Sequence, residues 1–432
     1  MDAPRPTPTA QFIPAPPLPA AYGRPAAIAL GLGTLGGFVA GLYALGVLAF
    51  GWPATPFAAL VQAHGQVQTL GLIGVLILGV GSILLPTFWK GRLGHPHRVG
   101  DGAALVGVGL VAQLVGQPLP PSAPRAALLV AAALLPPLGF AWAGRELASL
   151  RPARQGRPAA WETSLLLGAG ALALALLLRA AVLLQLAWTA SPAVGGPLHA
   201  ALLVLELDGF LLATTFAVQL RLLPSLARTA PAPGWAAPLG VALLAAAVAA
   251  RALAAALVAP PADRAAAWLL ALASLALVLA TGLAQPGIPP STRAPAAALP
   301  GRTRWVLRAA WAGLLIGTLG RATGVVSDDA ARHAFTAVYL VPLALVVGLR
   351  MLPRVSAYPV RFPRLAGALI WTALLGGALR AFAVLPASRA GFALAWCGGA
   401  ALTLAVVVFA LLAWSPWGVP RGLPRDPALD RR

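Results

Sequence analysis

Five histidines occur in the chain of 432 residues, and three of them stand at the head of long apolar stretches. His64 opens HGQVQTLGLIGVLILGVGSILLPTFW, a histidine and two glutamines followed by a glycine-rich apolar run that leaves through Leu-Leu-Pro. His199 leads through LELDGFLLATTFAVQLRLLP to Pro224, and His333 leads through FTAVYLVPLALVVGLRML to Pro353. The same layout used three times reads as one supersecondary unit repeated. An imidazole inside an apolar segment needs a hydrogen-bond partner or a ligand, because lipid offers neither hydrogen bonds nor charge compensation. Cross-helix hydrogen bonding is the common role of a single such histidine. Three at matched places, in a chain with only two others, raise metal ligation to the same footing for His64 and His333, and imidazole is the usual axial ligand of haem iron. His199 follows Gly195-Gly196-Pro197 and reads equally as a helix-start residue facing water. His95 and His97, in KGRLGHPHR, fall in a basic loop, where H-x-H is a copper signal of low specificity.

Arginines form the second constellation. Arg179, Arg251, Arg321 and Arg380 each stand within an apolar run, near the same end, and each is followed by alanine. A guanidinium fork matches a carboxylate bidentately, so arginines at the depth of the histidines suit haem propionates. Arg251 and Arg380 are the better pair, each falling in the third helix of its group. The alternative is snorkelling, with each charge bent toward the headgroups. Glu206 and Asp208, in VLELDGF, lie well inside a span. Pairing with one of these arginines is their simplest role, and a step in proton uptake is the other.

The elements that must position these groups are membrane helices. Apolar residues make up 59% of the chain and charged residues 10%, and many apolar runs exceed the roughly 18 residues that mark a spanning helix. Spans are expected at about 26–50, 57–85, 102–119, 126–148, 163–188, 198–223, 235–258, 265–284, 304–323, 331–352, 365–386 and 391–414. The fold class is therefore an all-α polytopic membrane protein of about twelve transmembrane helices in three pseudo-repeated groups of four, with the lipid bilayer as its solvent. The groups cover about 24–150, 160–285 and 302–414. Residues 1–23, rich in Pro and Ala, read as a disordered tail, and 415–432 as a second tail. No cleavable signal pattern precedes the first span, which is expected to stay as an anchor.

A formal charge of +20 invites a nucleic-acid partner, but the basic residues sit in short connections and form no stripe, so no nucleic acid is expected. Connections after even-numbered spans hold Lys90, Arg92 and Arg98; Arg145, Arg151, Arg154 and Arg157; Arg221 and Arg228; Arg293, Arg302 and Arg304; and Arg350, Arg354, Arg361 and Arg364. The intervening connections are nearly free of net charge. Both termini are thus expected in the cytoplasm, with His64, His199 and His333 toward the outer face. Counted back from the Leu-Pro exits at about 100° per residue, His333 points to a different side of its helix from His64. Pro136-Pro137 and Pro342 predict kinks. The single cysteine, Cys397, has no intrachain partner.

His-x-Gln-x-Gln before a glycine-rich helix and Leu-Leu-Pro, then Arg-His before an apolar helix and Arg-Met-Leu-Pro, resembles the NnrS family of bacterial membrane proteins. Twelve spans in three groups of four are more distantly similar to the large subunit of haem-copper oxidases. The resemblance implies a bacterial inner-membrane protein that binds haem b, with His64 and His333 as axial ligands. Arg251 and Arg380, with Arg179 and Arg321, become its propionate partners, and His199 a third metal-ligand candidate that leaves copper open. It also implies a link to nitric oxide or nitrosative stress and to a redox partner. Span 7 carries none of the histidines an oxidase binuclear centre requires, so turnover of a substrate there is not expected. A transporter for a small solute or protons, lined by Glu206, Asp208 and the arginines, is the alternative, and a cofactor-free scaffold the third reading.

Overall fold

The computed structural model describes residues 12–13, 20–53, 56–151, 157–226, 232–283, 301–356, 362–413 and 419–420. Nearly all of them are helical. The long helices are α1 Tyr22–Phe50, α2 Phe57–Trp89, α3 His97–Gly116, α4 Ala123–Ala148, α5 Ala160–Trp188, α6 Pro197–Pro224, α7 Ala236–Ala256 and α8 Pro260–Thr281. They continue with α9 Gly301–Thr323, α10 Asp328–Leu349, α11 Pro363–Phe382 and α12 Arg389–Leu412. Eleven are long and apolar enough to cross a membrane. The exception, α9, has 23 residues but carries Arg302, Arg304, Arg308 and Arg321. The tails expected at 1–23 and 415–432 fall mostly outside the described residues; within them residues 20–23 are helical, not disordered, and Phe12–Ile13 pairs antiparallel with Val419–Pro420.

Local sequence accounts for the helix ends. The side chains of Ser122 and Ser327 accept hydrogen bonds from the backbone N–H groups of Arg125 and Ala330, and Pro197, Pro260 and Pro363 occupy first-turn positions whose N–H has no intrahelical acceptor. Between these ends, runs of Ala and Leu favour helix, and in lipid the helix is the structure that satisfies its own backbone. Helix α4 continues through Pro136-Pro137, whose first ring lies against Gly109 of α3.

Adjacent antiparallel helices pack in sequence, with the most extensive contacts joining α3 to α4, α7 to α8 and α11 to α12. Helix α12 also packs along α1, which brings the first and last spans together. Small residues make the closest of these approaches. Gly102 and Gly139 oppose each other between α3 and α4, and Gly376 and Gly398 between α11 and α12, where an added Cβ would collide with the facing glycine's carbonyl oxygen.

Four helices change winding in mid-span. Residues Leu32–Phe38 of α1, Val67–Gly74 of α2, Leu205–Leu212 of α6 and Ala334–Leu340 of α10 are π-helical. Such i→i+5 stretches are rare and concentrate at functional sites. One therefore lies a few residues beyond each of His64, His199 and His333.

Candidate functional site

His64, His199 and His333 line one cavity. It lies at the end of the bundle with the charge-poor connections, among α1, α2, α6, α10, α11 and α12, and offers about 220 Å³ to a water-sized molecule. Apolar walls come from Phe38, Leu42, Leu45, Leu72, Leu207 and Leu211, and the polar rim includes Gln62, Gln66, Gln68, Asp329, Arg332 and Arg380. Each of the four π-helical stretches contributes to the wall.

The two better ligand candidates are held alike. His64 Nδ1 bonds the carbonyl oxygen of Gly37 at 2.6 Å, and His333 Nδ1 bonds that of Asp329 at 2.8 Å. Donation from Nδ1 to a backbone carbonyl fixes the tautomer and leaves the Nε2 lone pair free for a metal, the usual outer-shell arrangement of a ligating histidine. The His64 ring comes close against α1 because Gly41 has no side chain, a Cβ there falling 2.5 Å from His64 Cε1. The Asp329 carboxylate reaches both His333 Nδ1, at 3.4 Å, and Arg380 Nη1, at 3.7 Å. His199 is half-buried in the cavity wall and makes no hydrogen bond among the described residues.

The four arginines separate. Arg380 lines the cavity, and its buried Nη1 has no hydrogen-bond partner, the Asp329 carboxylate being too distant for one. Arg179, 1% exposed, lies outside it, donating to Gln66 Oε1 at 2.8 Å, Ala132 O at 2.7 Å and Gln113 Oε1 at 2.5 Å. Arg251 is paired with Asp208 and lies 3.5 Å from Asp263, while Arg321 contacts Asp263 at 3.2 Å and Asp328 at 3.0 Å. The arginine partner the sequence offers for Asp208 is thus realised in Arg251. Arg251 and Arg321 border a separate space of about 30 Å³ that also touches Asp208 and Arg332.

Glu206 is fully buried and does not line the histidine cavity. Gln66 donates to its Oε2 at 2.7 Å, and its Oε1 has no partner. Gln66 belongs to a continuous polar chain. Arg179 bonds both Gln66 and Gln113, Gln113 donates to Gln117, Gln117 to Gln62, and Gln62 holds the backbone of Val194 in the connection between α5 and α6. Arg125 secures the same connection through Thr189 and Ser191.

The chain and the rim residues Asp329 and Arg332 were not singled out from sequence. The available signal was the four-residue spacing of Gln62 with Gln66 and of Gln113 with Gln117, which stacks two amides on one helical face. Among the described residues no three His, Cys, Asp or Glu side chains converge closely enough to hold a metal ion unaided. A metal that arrives within its own ligand frame needs only axial donors from the protein. Compared with protein-family models and with curated proteins, the chain matches none.

Proposed function

We propose that the chain is a membrane haem protein of the NnrS type, taking haem b in the cavity among α2, α6 and α10. The observation that carries this reading is that three histidines distant in sequence line one apolar cavity, two of them with Nδ1 tied to a backbone carbonyl and Nε2 unbonded among the described residues. His64 and His333 are the axial candidates, with His199 on the same wall. Haem supplies four nitrogen ligands of its own and a one-electron iron couple, which fits a site without a three-ligand cluster. Arg380, whose buried Nη1 has no hydrogen bond, is the propionate partner, and Arg332 is the second cation on the rim.

The chain's own groups have clear tasks in this reading. Gly37 and Asp329 orient the imidazoles, the leucines and Phe38 exclude water, and Asp329 balances the Arg380 charge. Three most extensive hairpins, spaced four spans apart, favour an arrangement in three groups of four. Binding or sensing of a small diatomic ligand such as nitric oxide, in a bacterial inner membrane with both termini cytoplasmic, follows from the family resemblance. The transporter reading loses support because Glu206 and Asp208 are engaged by Gln66 and Arg251 away from the large cavity.

Expression under haem-replete conditions and purification in detergent test the proposal. A Soret band, a pyridine haemochrome of the b type and loss of both in His64→Ala and His333→Ala are expected. A colourless wild-type preparation, or histidine variants with an unchanged spectrum, refutes it.

A further inference from the structure

Two more cavities continue along α2 and α10 toward the charge-rich end of the bundle. One, of about 130 Å³, lies among α2, α6 and α10, and the other, of about 100 Å³, among α1, α2, α10 and α12. They share Tyr22, Ile73, Leu76, Ala344 and Gly348. Ile73 also lines the histidine cavity.

The larger of the two has almost wholly aliphatic walls and no charged lining residue. Its neutral polar groups are Tyr22, Thr214, Thr215 and Gln219. The Thr214 hydroxyl is turned against Gly168 of α5. Thr69, Thr318, Thr336 and Thr403 each return their hydroxyl to the carbonyl four residues back. Tyr22 and Thr215 make no hydrogen bond through their hydroxyls among the described residues. Gln219, 1% exposed, donates to the Tyr339 hydroxyl through Nε2, and its Oε1 has no partner.

Unused hydroxyl donors set in an aliphatic wall select a particular guest. A buried water needs about 2–4 polar partners, and four neutral groups are too few to fill a space of about 130 Å³ with water. A phospholipid headgroup brings charge that nothing here offsets, and an acyl chain has no use for the hydroxyls. A flat, uncharged ring with carbonyl oxygens satisfies both the walls and the donors. We propose that this cavity binds the ring of a membrane quinone, with the Tyr22 and Thr215 hydroxyls donating to its carbonyl oxygens. The site uses none of the three histidines and stands or falls independently of the haem reading.

The neighbouring aromatic cluster provides the readout. Trp311 stacks on Phe216 at 5.4 Å and meets Tyr339 edge-on at 5.0 Å, and Tyr339 holds Gln219. Purified full-length protein is titrated with a decyl-substituted benzoquinone while tryptophan emission is followed. Saturable quenching is expected, largely lost in Trp311→Phe and weakened about tenfold or more in the double variant Tyr22→Phe, Thr215→Val. Decylbenzene, which has the ring and tail without the oxygens, is the competitor and needs no variant to fold. It should compete at least about tenfold less well than the quinone. Equal competition, which would mark an acyl-chain groove, or the absence of saturable quenching in the wild type, overturns the proposal. In His64→Ala, which the haem reading expects to be colourless, the quinone titration should be unchanged; a colourless wild type that binds quinone overturns the haem reading alone.

Discussion

Gly41→Ala probes the haem reading without touching an imidazole. The new Cβ would lie 2.5 Å from His64 Cε1 and 3.0 Å from Nε2, whereas carbon atoms rest at about 3.5–4.0 Å. The ring must retreat by about 1 Å, which pulls Nδ1 from the Gly37 carbonyl that it meets at 2.6 Å. Forcing an extra methyl into a filled site costs about 1–3 kcal/mol. In the empty protein His64 swings into the cavity and escapes most of this strain, whereas in the loaded protein the ring must hold its place. The cost therefore falls mainly on the bound state, and haem affinity should drop about 5- to 150-fold. The assay is a spectrophotometric titration of apoprotein with haemin, together with the rate at which apomyoglobin strips haem from the loaded protein. Gly31→Ala on the same helix is the control, since nothing lies within 4 Å of its added Cβ. A Gly41→Ala protein that titrates like the wild type, or a Gly31→Ala protein impaired as much, refutes the assignment of His64.

The charged networks make further expectations, each read by unfolding in a detergent titration. Arg179→Met strands the oxygens of Gln66, Gln113 and Ala132 and leaves Glu206 buried without a nearby cation, at a cost of about 3–5 kcal/mol. Arg251→Met should cost a similar amount, about 3–5 kcal/mol, by leaving Asp208 unpaired, and the double variant Arg251→Met, Asp208→Leu should regain most of it. Equal stability of single and double variants would show that the pair is not coupled. By contrast, Arg24 and Asp101 pair at the surface with side chains 62% and 46% exposed, and Arg24→Ala should shift stability by only about 0–1 kcal/mol. A larger loss would assign Arg24 a contact beyond that pair. Arg380→Met, which removes the guanidinium whose Nη1 makes no hydrogen bond in the cavity, should lower haem retention while leaving the Soret position unchanged; a shifted band would mean that Arg380 reaches the axial ligands instead.

Span positions were legible because length and hydropathy dominate membrane helices, and the twelve expected segments lie within a few residues of α1–α12. The approach of His64, His199 and His333 to one cavity follows the repeat that precedes each Leu-Pro exit. Their facing was not legible. A count at a constant angle from the exits sends His333 away from His64, but both counts cross π-helical stretches, Val67–Gly74 and Ala334–Leu340, whose wider turns shift the phase of everything beyond them. The arginines were legible in depth but not in partner. Arg251 and Arg321 find Asp263 and Asp328 near helix starts, and Arg179 meets glutamines of α2 and α3, pairings that depend on which helices become neighbours.

Gly37 and Gly41 precede His64 in the chain, so the seat for that imidazole exists once α2 has been inserted beside α1. His333, Arg380 and the α12 wall are synthesised long afterwards. During synthesis the nascent chain therefore passes through a long interval with half a pocket. Completion of the cavity waits on the α11–α12 hairpin closing against α1, which makes docking of that hairpin the step that joins the two halves.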